Sequence, residues 1–178
     1  MPMMNKNYSL KIYLYRLLWA LGQIFYKFLP NCLWGLRHFI LKCYGAKIGR
    51  NSKIYSSVKI AFPFNLIVGE NTCIGDNVIL YNLGLLEVGS NVTISQGAHL
   101  CGGTHDYKKR DDALLMPLVK SDILIKDGVW ICADAFIGPG VIISENSIIG
   151  ARSVIFKDVP GRVIVAGNPG QVIKNRYG

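Results

Sequence analysis

The first 69 residues contain no aspartate or glutamate, and the first acidic residue of the chain is Glu70. The same stretch carries ten basic residues: Lys6, Lys11, Arg16, Lys27, Arg37, Lys42, Lys47, Arg50, Lys53 and Lys59. Because the net charge of the whole chain is +9, the remainder is close to neutral. A basic segment of this kind indicates an anionic partner, either lipid headgroups or phosphorylated substrates. Nucleic acid is disfavoured, because no nucleic-acid-binding motif accompanies the charge.

Paired cysteines and long apolar runs are also lacking. The five cysteines include no CxxC spacing, and an odd number without pairing favours free thiols in a reducing cytosol. No cleavable signal segment is recognisable, so we expect a cytoplasmic protein. The longest uncharged run near the N-terminus, Leu17–Tyr26, has ten residues. A spanning helix needs about 20, which leaves an interfacial helix open but disfavours a transmembrane one.

What the sequence does contain is a strict six-residue period. A helix repeats its apolar face at 3.6 residues and a strand at 2, so neither explains it. The period is typical of a parallel β-helix, in which three hexapeptides make one coil. The aliphatic residues that carry it predict about five coils: Ile48, Ile54, Ile60, Val68, Ile74, Leu80, Val88, Ile94, Leu100, Ile125, Ile131, Ile137, Ile143, Ile149 and Ile155.

The details of the coils follow from the residues between these aliphatic positions. The first three coils begin twenty residues apart and the last two eighteen apart, which indicates two-residue bulges near Leu66-Ile67 and Leu86-Glu87. Glycines that directly follow the aliphatic residues, such as Gly49 and Gly69, are expected to adopt positive φ at tight corners. Turn conformations also suit Asn51, Asn71, Asn77, Asn91 and Asn146. A second inward position is predicted for Val58, Thr72, Val78, Val92, Ala98, Ala135, Ser147 and Ser153.

Two helices are predicted ahead of the coils. Residues 8–29 suit a helix with Ser9 as N-cap, ended by Pro30, and residues 32–44 suit a second, ended by Gly45. The apolar residues of the first recur at spacings of three and four: Leu10, Leu14, Leu17, Leu18, Leu21 and Phe25. The sequence leaves open whether the helices pack on the β-helix, on a neighbouring subunit or on an anionic membrane.

One charged excursion, roughly residues 105–122, interrupts the coils. A loop this long in a regular solenoid usually serves a function, and His105 opens it. His38, in a basic helix, is better explained as a surface or packing residue, and His99, within a coil, as a structural one. We therefore divide the chain into a basic helical segment (1–46), a β-helix (47–164) with this excursion, and a C-terminal tail (165–178).

Three stretches of the chain resemble a known family. They are the opening Leu18 to Gly49, the GGTHD motif from Gly102 to Asp106, and the tail GARSVIFKDVPGRVIVAGNPGQVIK from Gly150 to Lys174. Together they resemble the left-handed β-helix acyltransferases, and among these the colanic-acid-type exopolysaccharide O-acetyltransferases. Left-handedness is implied by the resemblance alone, since crossovers between parallel strands are otherwise right-handed.

The resemblance implies an active site. His105 matches the catalytic base, and an imidazole can accept the proton of an alcohol as it attacks a thioester. Asp106 is either a partner of that imidazole or an ordinary loop carboxylate. The acyl donor implied is acetyl-CoA, held between subunits of a homotrimer. Residues matching the donor site, less securely for the last, are Trp130, Ala133, Ala151, Phe156, Lys157 and Arg176.

The predicted function is acetylation of a sugar hydroxyl in surface-polysaccharide biosynthesis, at the inner face of the cytoplasmic membrane. Tyr81 and Asn82 are candidates for binding the sugar or glycan acceptor, although a turn role explains the asparagine as well. No metal site is expected, because His99, Cys101, His105 and Asp106 match no zinc spacing. The alternatives are an acetyltransferase for serine, an amino sugar, a maltose-like sugar or an antibiotic, and a β-helix protein without this activity.

Overall fold

The computed structural model describes residues 10–30, 32–109 and 116–178. The expected cap Ser9 and residues 110–115 of the excursion lie outside these ranges. Within them, two helices, α1 (Leu10–Phe28) and α2 (Trp34–Cys43), precede a solenoid of short strands. Pro30 follows the end of α1, and Gly45 follows α2 with a φ of 89°, as the sequence predicts.

The solenoid has three faces, each a parallel sheet. The first face consists of β1 (Lys47–Ile48), β4 (Leu66–Val68), β7 (Leu86–Val88), β12 (Ile123–Ile125) and β15 (Ile142–Ile143). The second consists of β2 (Lys53–Ile54), β5 (Cys73–Ile74), β8 (Thr93–Ile94), β13 (Trp130–Ile131), β16 (Ile148–Ile149) and β18 (Val163–Ala166). The third consists of β3 (Lys59–Ile60), β6 (Ile79–Tyr81), β9 (His99–Cys101), β14 (Phe136–Ile137) and β17 (Val154–Ile155).

This arrangement confirms the parallel β-helix. Five coils visit all three faces, and a sixth begins with Val159, which bridges Ile143 on the first face, and continues into β18 on the second. This is consistent with a left-handed β-helix of about five coils. The last element, β19 (Gln171–Asn175), turns back and pairs antiparallel with β18. The two remaining strands, β10 (Gly103–His105) and β11 (Leu118–Lys120), form an antiparallel hairpin outside the solenoid.

The core is the axis of the prism, and the six-residue period predicts its members. Ile54, Ile74, Ile94, Ile131 and Ile149 are fully buried. The second inward position is confirmed as well, because the small or β-branched residues there are buried. Where they carry a hydroxyl, it bonds the backbone of the next coil: that of Thr72 donates to the Gly89 oxygen at 2.7 Å, and that of Ser153 accepts from the Gly167 N–H at 3.2 Å. Buried hydroxyls are thus paired rather than left unsatisfied.

The described insertions between successive coils all lie at one corner, between the third face and the first, which we call the loop-bearing corner. The extra residues of the first two coils lie at 61–65, which include a 3₁₀ turn at Pro63–Asn65, and at 82–85. The third coil places its excursion at the same corner. The single corner is as predicted, but Leu66-Ile67 and Leu86-Glu87 are strand residues, so the bulges precede them.

The glycines after the aliphatic positions serve a different purpose from the one predicted. The asparagines do adopt positive φ, as at Asn71 with 54°, but Gly49 and Gly69 do not. Instead, a Cβ on Gly49 would lie 2.5 Å from the carbonyl carbon of Gly69, and one on Gly69 equally close to that of Gly89. The expectation of positive φ is wrong at these glycines, because close stacking of the coils, not backbone conformation, excludes a side chain.

The helices cover the open edge of the first coil. Trp19 Nε1 donates to the Ile60 carbonyl at 2.8 Å and the Tyr26 hydroxyl to the Tyr55 carbonyl at 3.0 Å. The fully buried Arg37 donates to the Ile54 carbonyl at 3.0 Å and lies over the Trp34 ring. Neither described helix combines the length and apolarity that crossing a membrane requires.

Candidate functional site

The hairpin at the loop-bearing corner carries His105. Its ladder joins Gly103 to Lys120, Thr104 to Val119 and His105 to Leu118. The hairpin leaves the solenoid directly after β9, and His105 at the end of β10 is exposed. The break in the hexapeptide period therefore marks a real projection, and the histidine that opens it is presented to solvent.

The orientation of the His105 ring is set by a backbone carbonyl. Nδ1 lies 3.1 Å from the oxygen of Met116, on the returning side of the hairpin. A carbonyl oxygen can only accept a hydrogen bond, so Nδ1 carries the proton in this contact. The neutral imidazole then has its lone pair on Nε2, which is the form a general base requires. Nothing in the sequence indicates this partner, because any residue can supply a carbonyl.

Asp106 bonds within its own turn. Its carboxylate pairs with Lys109 Nζ at 3.2 Å and accepts from the Lys108 backbone at 3.3 Å. Its own N–H donates to the Pro117 carbonyl at 2.9 Å. The carboxylate thus bonds within residues 106–109, and the Met116 carbonyl accepts from the imidazole as the carboxylate of a His–Asp pair would.

The two predicted acceptor residues differ in accessibility. Tyr81 is 39% exposed, and its ring lies beside Gly103, where an added Cβ would be 3.3 Å from Tyr81 Cε1. Asn82 is 1% exposed, and its amide bonds both the N–H and the carbonyl of Phe62, at 3.0 and 2.6 Å. These are the contacts of a structural asparagine joining two coils, so its side chain is not presented to a ligand.

A cavity of about 250 Å³ lies beside Tyr81, between α1 and the loop-bearing corner. Its polar side chains include Arg16 and Gln23, which the sequence reasoning did not select. Gln23 also donates to the Ile60 carbonyl at 3.0 Å, so it joins the helix to the first coil. The sequence shows that Arg16 is charged and lies on a predicted helix. It does not show which side of that helix contacts the loop-bearing corner.

The predicted donor residues lie at all three corners of the prism. Trp130, Ala133 and Ala151 are near the corner between the second and third faces, where Trp130 Nε1 donates to the Ser95 hydroxyl at 3.0 Å. Phe156 and Lys157 are at the loop-bearing corner, two coils beyond the His105 hairpin. A single chain therefore does not bring these five residues into one site.

Phe156 and Lys157 border a second cavity, of about 320 Å³, between residues 154–160 and the C-terminal strands. The Phe156 ring is 62% exposed and packs against that of Phe136, with centroids 5.6 Å apart. Arg176 is engaged at the third corner, where Nη1 donates to the Asn146 carbonyl at 2.8 Å and to that of Gly128 at 3.3 Å. Those bonds tie the C-terminal tail to two coils.

The other two histidines are partly buried. The His99 ring packs edge-to-face on Phe136 at 5.3 Å, and burial lowers its pKa. Burial also lowers the pKa of His38, with smaller contributions from Lys42 and Arg37. All five cysteines are free thiols, as predicted. Among the described residues, no group of three or more potential ligands is placed to hold a metal ion.

The chain is similar to known transferases throughout. The family model described as "Bacterial transferase hexapeptide (six repeats)" matches residues 122–157. WcaF of Escherichia coli (strain K12), named as an acetyltransferase of colanic acid biosynthesis, is 38% identical over 161 residues, which are 90% of this chain and 86% of that one. The galactoside O-acetyltransferase of the same organism is 30% identical over 78% of this chain and 68% of its own.

Solved structures of acetyltransferases also superpose on this chain. A galactoside acetyltransferase in complex with coenzyme A superposes with a TM-score of 0.88 at 25% identity, over 97% of this chain and 86% of that one. A maltose O-acetyltransferase from Clostridium difficile 630 gives 0.85 at 25%, over 96% and 90%. The chain therefore belongs to the hexapeptide-repeat transferases. Within them it is an acetyltransferase, and the expected enzyme class is confirmed.

Proposed function

We propose that the protein transfers an acetyl group from acetyl-CoA to a sugar hydroxyl in surface-polysaccharide biosynthesis, with His105 as the general base. The observation that carries this proposal is the contact between Nδ1 of His105 and the Met116 carbonyl. In this contact Nδ1 holds the proton, which supports Nε2 of the exposed His105 as the atom that accepts a proton. The acetyltransferases similar to this chain support the acyl group and the donor.

The reaction then proceeds by direct attack. The acceptor hydroxyl gives its proton to Nε2 as its oxygen attacks the thioester carbonyl, and the tetrahedral intermediate collapses with cleavage of the C–S bond. The imidazolium returns the proton to the departing thiolate, which leaves as free CoA. General-base assistance of this kind is typically worth about 10²–10⁴ in rate.

The cavity beside Tyr81 is the acceptor site of this proposal. Its lining includes Arg16, Gln23 and Tyr81, whose side chains carry hydrogen-bonding groups of the kind that bind a sugar with several hydroxyls. The Tyr81 ring adjoins Gly103, so the wall continues into the hairpin that carries His105. A sugar acceptor is supported by relatives named for colanic acid, galactoside and maltose. Asn82 has no part in this site, because it is 1% exposed and both the oxygen and the nitrogen of its amide are bonded to Phe62.

The donor residues favour a homotrimer. Trp130, Ala133 and Ala151 at one corner and Phe156 and Lys157 at another would form one groove where the faces of two subunits meet. Lys157 is exposed and suits the phosphates of the donor. The proposal also keeps the inner face of the cytoplasmic membrane as the place of action, with peripheral contact through residues 8–44.

The decisive experiment is CoA release from acetyl-CoA with a panel of acceptors, including colanic-type sugars, galactosides, maltose, amino sugars and serine. His105→Ala should lower turnover by about 10²–10⁴. Tyr107→Ala, which alters an exposed neighbour in the same hairpin, is the matched control and should leave turnover nearly unchanged. Undiminished turnover in His105→Ala would overturn the mechanism, and preference for serine or an amino sugar would overturn the acceptor class.

A further inference from the structure

The helix α1 has two apolar faces, and only one of them packs on the solenoid. Trp19 and Tyr26 are buried against the first coil, and Gly22 is buried against the Tyr44 ring. The six residues that the sequence marks as the apolar side of the helix face solvent instead, and so do Ile24 and Phe28. Their side chains are between 48% and 85% exposed: Leu10, Leu14, Leu17, Leu18, Leu21, Ile24, Phe25 and Phe28.

These eight residues form one continuous stripe, which we call the outer stripe. With 100° per residue they cover roughly 120° of the helix, about a third of its circumference. Lys11 borders the stripe on one side, and Arg16 and Lys27 lie beyond its other side. An apolar stripe with cations on both flanks is typical of a helix that lies in the plane of a membrane interface.

The second helix extends the same surface. Leu36 and Phe39 of α2 are 47% and 63% exposed, and Lys42 is exposed in its last turn. Between the helices runs a cleft of about 520 Å³, lined by Ile24, Phe25, Phe28 and Leu36 among others. The lining is almost entirely apolar, and a lipid tail is an occupant of matching chemistry.

The charges of this region decide between a lipid surface and another copy of the chain. No acidic residue occurs before Glu70, and Lys11, Lys27 and Lys42 are exposed on the helices. Packing the same helix of a second subunit against the stripe would bring like charges together. An anionic bilayer instead supplies both partners, hydrocarbon for the stripe and phosphate for the lysines.

We infer that the outer stripe of α1, extended by α2, is an interfacial membrane-binding surface specific for anionic lipid. The inference deepens the proposed function, on which it rests for the choice of acceptor. Arg16 both flanks the stripe and lines the cavity beside Tyr81, so a helix held at the interface places that cavity at the level of the headgroups. The acceptor is then a glycan attached to a lipid carrier rather than a freely diffusing sugar.

The test is cosedimentation of the full chain with vesicles of phosphatidylcholine alone or mixed with phosphatidylglycerol. Wild type should bind the mixed vesicles and not the neutral ones. Leu14→Asp/Leu21→Asp places two charges in the stripe and should lower the partition coefficient by at least tenfold, because two leucines no longer contribute apolar surface to the contact with the hydrocarbon. The matched control is Ile173→Asp, on an exposed residue at the opposite end of the solenoid, which should bind as wild type does.

A second variant keeps the stripe and removes charge. Lys11→Gln/Lys27→Gln should weaken binding about fivefold per lysine, and added salt should have the same effect on wild type. Lys126→Gln, in the fourth coil, is its control. This variant remains informative if the aspartates impair folding, which circular dichroism would reveal.

Two outcomes would overturn the inference. One is absence of wild-type binding to anionic vesicles, and the other is a change of oligomeric state in Leu14→Asp/Leu21→Asp, measured by sedimentation velocity, which would assign the stripe to subunit packing. The proposed function is tested separately, because CoA release with a soluble acceptor in lipid-free buffer requires His105 and not the stripe.

Discussion

The solenoid and the helical segment use apolar periodicity in opposite ways. In the solenoid, the residues at every sixth position lie on the axis, and Ile131 is fully buried. On α1, the residues at spacings of three and four lie outside, and Leu21 is 54% exposed. A period therefore establishes which residues share a face of an element, but not what that face contacts. In the solenoid the fold itself closes around the face, whereas on a helix a second body has to cover it.

Truncating one buried residue of the solenoid and one exposed residue of α1 tests this difference most directly. Ile131→Ala should lower the free energy of unfolding by about 2–5 kcal/mol, because it leaves a cavity in a closed core. Leu21→Ala should change it by no more than about 0.5 kcal/mol in lipid-free buffer. Denaturant unfolding at equal protein concentration measures both. Similar losses for the two variants would show that the outer stripe is buried in the assembled protein.

Glycine gives a second contrast between the two regions. Gly69→Ala should cost about 1–3 kcal/mol, because its Cβ would meet the backbone of the next coil at 2.5 Å. Gly35→Ala, in α2, meets nothing within 4 Å and should stabilise the protein by about 0.5–1 kcal/mol. Thermal unfolding of the pair, followed by circular dichroism, is the measurement. A neutral Gly69→Ala would mean that the coils can separate locally.

The smallest effect concerns pH. Burial holds the pKa of His99 below its ordinary value of 6.5, so the unfolded chain binds the proton more readily than the folded one. Stability should therefore fall as the pH drops below about 6.5. His99→Phe should weaken this dependence, since Nε2 is buried without a hydrogen-bond partner in the described structure and phenylalanine does not titrate. Unfolding curves of wild type and His99→Phe at several pH values give the dependence of the free energy of unfolding on pH. The same dependence in both proteins would assign it to other groups.

The sequence predicts the solenoid well and the packing of the helical segment poorly. The period predicts the buried isoleucines and the break at His105, because both depend only on residue order. The inner side of α1 was not predictable: Trp19 and Tyr26 lie there because their polar atoms reach the Ile60 and Tyr55 carbonyls. Only the assembled coil shows which backbone carbonyls at its edge have no partner strand to donate a hydrogen bond to them. The contact between His105 Nδ1 and the Met116 carbonyl was not predictable for a similar reason. Every residue has a backbone carbonyl, so the identity of residue 116 does not indicate the contact.

The two ends of the solenoid bear on self-association. A stack of parallel coils exposes a row of unpaired backbone groups at each end, and such edges template the addition of further strands. Here the indole, phenol and guanidinium groups of the helices cover the first edge. At the other end β19 runs against the direction of the coils, which offers an incoming parallel strand no matching ladder. These two features hinder the stacking of another molecule's coils on either end and so protect the protein from growing into a fibre.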